Sequence, residues 1–398
     1  MMRDDHVIIV GAGPTGLLIA LGLGRLGVRV TVIESERTVN TSPRALTYMP
    51  VVLEALNDFG VLEEARKVAH QCGRVRWQFQ DNGHSFEADV SVLKGMVPFP
   101  FNLHMGQDRL AEIILAAIEP HDTVTVHWGA RLTGIETSDD GVRVEVRTEA
   151  GTEAMEGDWL IGADGARSTV RTLSEIEFEG FTWPDRYMAT NLEFDFQRHK
   201  GYGDAIFLID PTDWALICRV DQGPLWRVTY GESASIPEED ALARVEARLA
   251  HFTGTSDFKV VHASAYRVHE RAAASFRKGR VLLAGDAAHA VNPLGGQGLT
   301  AGILDARELV DTLGGVISGK YSEQALDYYA TERRRAVTEI SMNFSKNMKR
   351  LVQEADPDAR RQDEAFLRQG EDLEVMKQRM FGMTMVRGVP YRDTLQPS

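Results

Sequence analysis

Six residues, Gly11-Ala12-Gly13-Pro14-Thr15-Gly16, constrain this chain more than any others. A buried apolar strand, His6 to Val10, runs straight into them, and Leu17 to Leu26 behind them is apolar and helical. Gly27 stops that helix, and Val28 to Ile33 reads as a second buried strand ending at Glu34. A GxGxxG on its own is a weak signal. Placed between strand and helix, with an acidic residue closing the next strand, it predicts a βαβ unit built for a dinucleotide. The glycines allow the tight turn and close approach of backbone to a pyrophosphate at the helix N-terminus. Gly11, Gly13, Pro14, Thr15 and Gly16 are the expected contacts, with Glu34 accepting from ribose hydroxyls.

A second segment repeats the logic near the other end of the chain. Val281 to Ala284 reads as a short strand meeting Gly285-Asp286, then a Pro293-Leu294-Gly295-Gly296-Gln297-Gly298 loop and a helix from about Leu299 to Leu313. A carboxylate at a strand end can reach a ligand hydroxyl lying over it. The glycines let N–H groups approach a flat ligand, and the helix dipole faces developing negative charge. Between the two lies Trp159-Leu160-Ile161-Gly162-Ala163-Asp164-Gly165-Ala166-Arg167, a strand that meets a helix through Asp-Gly.

The intervening chain changes period. Arg44, just ahead of a helix over Val52 to Phe59, could neutralise a phosphate or form a surface ion pair. Val75 to Gln80 alternates and Asp81-Asn82-Gly83 is a hairpin turn, so this pair leaves the nucleotide domain. Gln107 opens a helix, Asp108 to Ile118, that returns to it. Strands follow over Thr123–Trp128, Leu132–Thr137 and Val142–Arg147, and from Glu175 to Val268 the period is mainly two, a sheet with one apolar face. The tail reads as helices, Gln324 to Val352 and Asp363 to Met380, whose mixed charges suit solvated faces. The expected division is 1–72, 99–176 and 269–320 for the nucleotide domain, 73–98 and 177–268 for a substrate domain, and 321–398 for a helical region.

Composition excludes several classes. A net charge of −14 over 398 residues argues against nucleic acid and anionic membranes, which need clustered positive charge. Cys72 and Cys218 have neither metal-ligand spacing nor a disulfide framework, so no metal is expected and a cytoplasmic setting suits them. Asp4 and Asp5 before a short apolar run are not the pattern expected of a signal peptide, and Arg25 interrupts the longest apolar run.

In this order, GAGPTG with Glu34, GADGARSTVR at 162–171 and GRVLLAGDAAHAVNPLGGQG at 279–298 resemble the single-component FAD-dependent aromatic hydroxylases, the para-hydroxybenzoate hydroxylase-like flavin monooxygenases. The likeness spans essentially the whole chain. Ser42-Pro43-Arg44-Ala45, Phe181-Thr182-Trp183, Asp213-Trp214-Ala215 and Leu225-Trp226-Arg227-Val228 are similar to the para-nitrophenol 4-monooxygenase branch. The resemblance implies an α/β fold: a Rossmann-like FAD-binding domain, an inserted mixed or antiparallel β-sheet substrate domain, and C-terminal helices. It implies hydroxylation of a phenol with NADPH or NADH and O2 through a C4a-hydroperoxyflavin. A small aromatic substrate is the expected partner, and a homodimer is left open.

Carried over by position, Arg44 and Gln107 join the FAD contacts, Asp164 and Arg167 touch FAD and the passing nicotinamide, and Asp286 binds the ribityl chain. Pro293, Gly295, Gly296, Gly298 and Leu299 form the loop over the flavin ring. Gly298-Leu299-Thr300 departs from the Gly-Met-Asn of many relatives; the backbone N–H groups survive that change and the Asn side chain does not. For catalysis the candidates are Pro293, His289, and Arg219 and Tyr230 with Trp226 on the second-domain strands. Three rival readings remain: a flavin dehydrogenase that uses no oxygen, a hydroxylase acting on a larger biosynthetic aromatic, and a flavin carrier without turnover.

Overall fold

The computed structural model describes residues 5–42, 45–233 and 235–395. Strands covered on both faces must be apolar throughout, and those around the glycine turn are: Val7, Ile8, Ile9, Leu160 and Ile161 are wholly buried. They belong to a six-stranded sheet in the order Arg277–Lys278, Val281–Leu283, Trp159–Gly162, His6–Val10, Arg29–Glu34, Val124–Trp128. All but the first, a hairpin edge, run parallel. This topology brings the three glycine-containing segments to one end of the sheet. Helices Pro14–Arg25 and Gln297–Ile317 pack together over it. Gly22 permits their close approach, since a Cβ there would sit 2.7 Å from Val310.

A second sheet has eight strands in the order His289–Ala290, Lys259–Ala273, Phe178–Glu193, Leu225–Ser233, Ala215–Arg219, Ala205–Ile209, Arg74–Phe79, Ser85–Asp89. It is antiparallel except where Ala205–Ile209 pairs with Arg74–Phe79. The Asp81-Asn82-Gly83 hairpin therefore joins it, and the chain is the mixed α/β architecture expected. Two features were not legible in advance. Strand Lys259–Ala273 runs through position 268, and His289–Ala290 pairs with Ala272 and Arg271, stitching the Gly-Asp segment directly to this sheet. A separate three-stranded sheet, Arg131–Thr137, Val142–Thr148 and Gly151–Gly157, stands beside the parallel one.

The tail departs from the reading of two helices. Gln324–Arg335 passes through a π-helical segment, Ala336–Ser341, into Met342–Gln353. Pro357–Gln369 and Leu373–Gly382 follow, each started by an aspartate, Asp356 and Asp372, that accepts two backbone N–H bonds at its N-cap. Among the described residues no helix is long and apolar enough to cross a membrane.

Candidate active site

A cavity of about 880 Å³ lies between the two sheets. It starts at Gly13, Pro14 and Thr15, passes Asp286 and the Pro293–Leu299 loop, and reaches Arg227 and Tyr266 on the second sheet. Its far wall comes from the hairpin at Phe86 and from the C-terminal helices at Phe366, Met376 and Arg379.

At the first end the glycines divide by task. Gly11 has φ +107°, and a Cβ on it would lie 2.3 Å from the Ala163 carbonyl oxygen; one on Gly16 would lie 2.0 Å from the Gly11 oxygen. These two are required by the protein's own packing. At Gly13 and Gly298 no other group of the fold lies within 4 Å of the Cβ position, although both line the cavity; Gly165 lines it too, but its φ of +80° already calls for glycine. Backbone bared toward a cavity is what a flat, phosphate-bearing ligand needs. The N-termini of helices Pro14–Arg25 and Gln297–Ile317 add positive potential. Gly296, at φ +68°, is the N-cap of the second helix, and Gly295 turns at φ +100° before it. Glu34 closes its strand with its carboxylate accepting from the Ala12 and Glu36 N–H groups, both at 2.8 Å, which fixes it beside the turn. The donor set and bared glycines fit FAD.

The other expected cofactor residues fall in different places. Thr15, Gln107, Asp286, Pro293, Gly295, Gly296, Gly298 and Leu299 line the cavity. The Asp164 side chain does not: it accepts from Ser168 Oγ and from the N–H groups of Thr169 and Val170 at 2.6 and 3.1 Å. It thus supports the start of helix Thr169–Leu173, while its neighbours Ala163, Gly165 and Ala166 face the cavity. Burial raises the Asp164 pKa, against those hydrogen bonds. Arg167 is exposed and off the cavity wall. Arg44 lies outside the described residues.

The catalytic expectations need correction. Arg219, Trp226 and Tyr230 do not reach the cavity. Trp226 and Tyr230 are 2% and 0% exposed in the core under the other face of the sheet, and Arg219 donates to the Gln222 carbonyl at 3.2 Å. Side chains alternate along a strand, so the cavity face of Leu225–Ser233 belongs to Arg227 and Thr229. His289 is also misplaced: it is wholly buried, its Nε2 2.6 Å from Asp305 Oδ2 and its ring against Phe276. Pro293 alone of these five lines the cavity.

Sequence reasoning missed Arg227, Tyr266 and His104. Arg227 is 6% exposed and donates from Nε to Asn191 Oδ1 at 2.8 Å. Tyr266 has its phenol pKa pushed up to about 12 by burial, with the Arg227 charge opposing. His104 is pushed down to about 4 by burial, with its contact to the Arg219 carbonyl opposing. That contact, 2.9 Å from Nδ1, places the proton on Nδ1 and makes Nε2 an acceptor. One signal was available: a lone cation inside the apolar run Leu225 to Tyr230 needs a reason to be buried.

Fold, bared glycines and cavity together define a flavin-binding enzyme scaffold. The chain belongs to the family described as FAD binding domain, whose model matches residues 4–344. Over 389 residues it is 39% identical to the para-nitrophenol 4-monooxygenase of Pseudomonas sp. (strain WBC-3), covering 96% of each chain. It is 40% identical over 354 residues to 6-hydroxy-3-succinoylpyridine 3-monooxygenase HspB of Pseudomonas putida (strain DSM 28022 / S16), covering 88% of this chain and 90% of that one. The crystal structure of p-nitrophenol 4-monooxygenase PnpA from Pseudomonas putida DLL-E4 superposes with a TM-score of 0.93 at 38% identity, over 98% of this chain and 99% of that one.

Proposed function

We propose that this protein is an FAD-dependent monooxygenase that uses NADPH or NADH and O2 to hydroxylate a phenol, a para-substituted one such as a nitrophenol. One observation carries the reading: a single cavity joins the bared glycines to a buried arginine on the second sheet. FAD, when bound, supplies hydride acceptance and oxygen activation. Gly13, Gln107 and Asp286 hold it, Gly11 and Gly16 shape the turn beneath it with Glu34 fixed alongside, and the Gly295–Gly298 N–H groups with the helix behind them favour negative charge on its ring. Arg227 draws the phenol toward its phenolate form, and Tyr266 on the same cavity wall orients the oxygen. Trp77, Phe207 and Val268 line the substrate end and keep water out. The division into FAD-binding segments 1–72, 99–176 and 269–320 around substrate segments 73–98 and 177–268 is part of the same proposal.

The test is anaerobic stopped-flow reduction of the bound flavin by NADPH and by NADH, with and without a para-substituted phenol. A substrate worth ~3–5 kcal/mol of preference for the reducible state accelerates reduction by roughly a hundred- to several-thousand-fold. Equal rates with and without the phenol refute the hydroxylase reading and favour a dehydrogenase. Aerobic turnover with one O2 consumed per hydroxylated product is the companion result.

A further inference from the structure

Asp305 is wholly buried in helix Gln297–Ile317, does not line the cavity, and yet joins three parts of the molecule. Its Oδ2 accepts from the Gly285 N–H at 2.9 Å and from His289 Nε2 at 2.6 Å, and its Oδ1 accepts from Arg333 Nε at 2.8 Å. Arg333, equally buried, also donates to the carbonyls of Ala301, Val386 and Arg387. Burial alone would raise the Asp305 pKa; the charges and hydrogen bonds of His289 and Arg333 hold it below the usual carboxylate value. An ion of this kind contributes little net stability over an apolar replacement, so its geometry is the informative part.

That geometry is directional. Gly285 has φ +60°, with its N–H turned inward to Asp305, and the next residue, Asp286, turns outward and lines the cavity. The helix carrying Asp305 also begins at the Pro293–Leu299 loop, the other wall of the same site. Little slack exists between them: a Cβ on Gly302 would sit 2.7 Å from Thr15 Oγ1 and 3.2 Å from Gly285 Cα. We infer that Asp305 is a positioning residue: by pinning the Gly285 peptide to this helix, it aims the Asp286 carboxylate at the bound flavin nucleotide. The inference rests on the FAD-binding reading above.

A double-mutant cycle on FAD affinity, measured by titrating FAD into apoprotein, tests it. Wild-type apoprotein binds FAD; if it does not, the cofactor reading fails and this inference falls with it. Given binding, Asp286→Ala weakens affinity about ten- to hundredfold, and Asp305→Asn, two residues' contacts away from the ligand, weakens it about tenfold. The double variant should bind no worse than Asp286→Ala alone, to within about twofold, because the second change acts only through the first. Losses that multiply, or an Asp305→Asn protein that folds and binds FAD like wild type, overturn the inference. Should Asp305→Asn not fold, Arg333→Lys serves: it keeps the counter-charge, drops carbonyl contacts, and should lose about threefold in affinity in wild type and nothing in the Asp286→Ala background. A loss that persists in that background overturns the inference equally.

Discussion

Replacing Arg227 with Met removes the cation proposed to face the phenol oxygen while keeping much of its length. Two unit charges about 4 Å apart attract by ~4 kcal/mol at an effective dielectric of ~20. Stripping water from the phenolate opposes this, and with about half offset, ~2 kcal/mol remains, or ~1.5 pKa units. The arginine is 6% exposed, so bulk solvent screens little of it. The sign follows directly: a nearby cation favours the charged phenolate and lowers the pKa of the bound phenol, and its loss raises it. The assay uses holoenzyme without NADPH or NADH, so that para-nitrophenol, whose phenol and phenolate forms absorb at different wavelengths, binds without turnover. Titrating the bound dye from pH 5 to 9 should give an apparent pKa about 1–2 units higher in Arg227→Met than in wild type. Arg227→Lys, which keeps the charge and loses the fork, should lie between them. Asn191 loses its Nε partner in both variants, so the Met–Lys difference isolates charge from that structural loss. Identical titrations in all three folded proteins would falsify the assignment of Arg227 to phenol activation.

Two glycine substitutions should separate folding from ligand binding. Gly13→Ala adds a methyl that meets no protein atom within 4 Å, so the thermal midpoint of the apoprotein should hardly move while FAD affinity falls at least tenfold; Gly16→Ala puts its methyl 2.0 Å from the Gly11 oxygen and should destabilise the fold itself. A Gly13→Ala protein that binds FAD normally removes that turn from the nucleotide site. Burial holds His104 at a pKa of about 4, below its ordinary ~6.5, so the unfolded chain binds the extra proton between those values and stability is lost as pH falls from about 6.5 to 4, by ~3 kcal/mol at most. Urea unfolding at pH 7, 5.5 and 4.5 should show a slope that flattens by about one proton in His104→Gln; an unchanged slope would place the titration elsewhere.

The parts of this molecule that were legible beforehand are those whose cause is local. Strand, glycine turn, helix and Glu34 are contiguous, and the positive φ of Gly11 and the packing of Gly16 are set within one βαβ unit and the strand beside it. The same holds for Gly285-Asp286, where strand end and turn adjoin in sequence. The hairpin at Asp81-Asn82-Gly83 announced that its strands leave the parallel sheet, since no crossover helix separates them. Which neighbours it would meet, and that Ala205–Ile209 would run parallel to it, depended on pairings over more than a hundred residues.

The substrate end was misread for a reason that physics makes general. In an amphipathic strand, alternation tells which residues face the core. Leu225–Ser233 is central, with core on one face and cavity on the other, and Trp226 to Tyr230 are all buried, so polarity no longer marks the faces. Choosing Trp226 and Tyr230 for the pocket was a choice of parity, and a one-residue slip in parity exchanges every side chain for its neighbour. The buried cation breaks the tie. Arg227 costs several kcal/mol to bury unless something polar meets it, and a face that ends in a cavity is where that cost can serve a ligand. His289 shows the converse. Its position in the Gly-Asp segment suggested chemistry, but Asp305, on the helix that follows, claims its Nε2, and the Asp305–Arg333 pair turns the histidine into part of the frame. The charged C-terminal helices misled in a third way: one face of each is solvated as expected, while Phe366, Met376 and Met380 on the other wall the cavity. The chemistry of this protein sits where long-range packing decides what a buried polar or apolar face will meet.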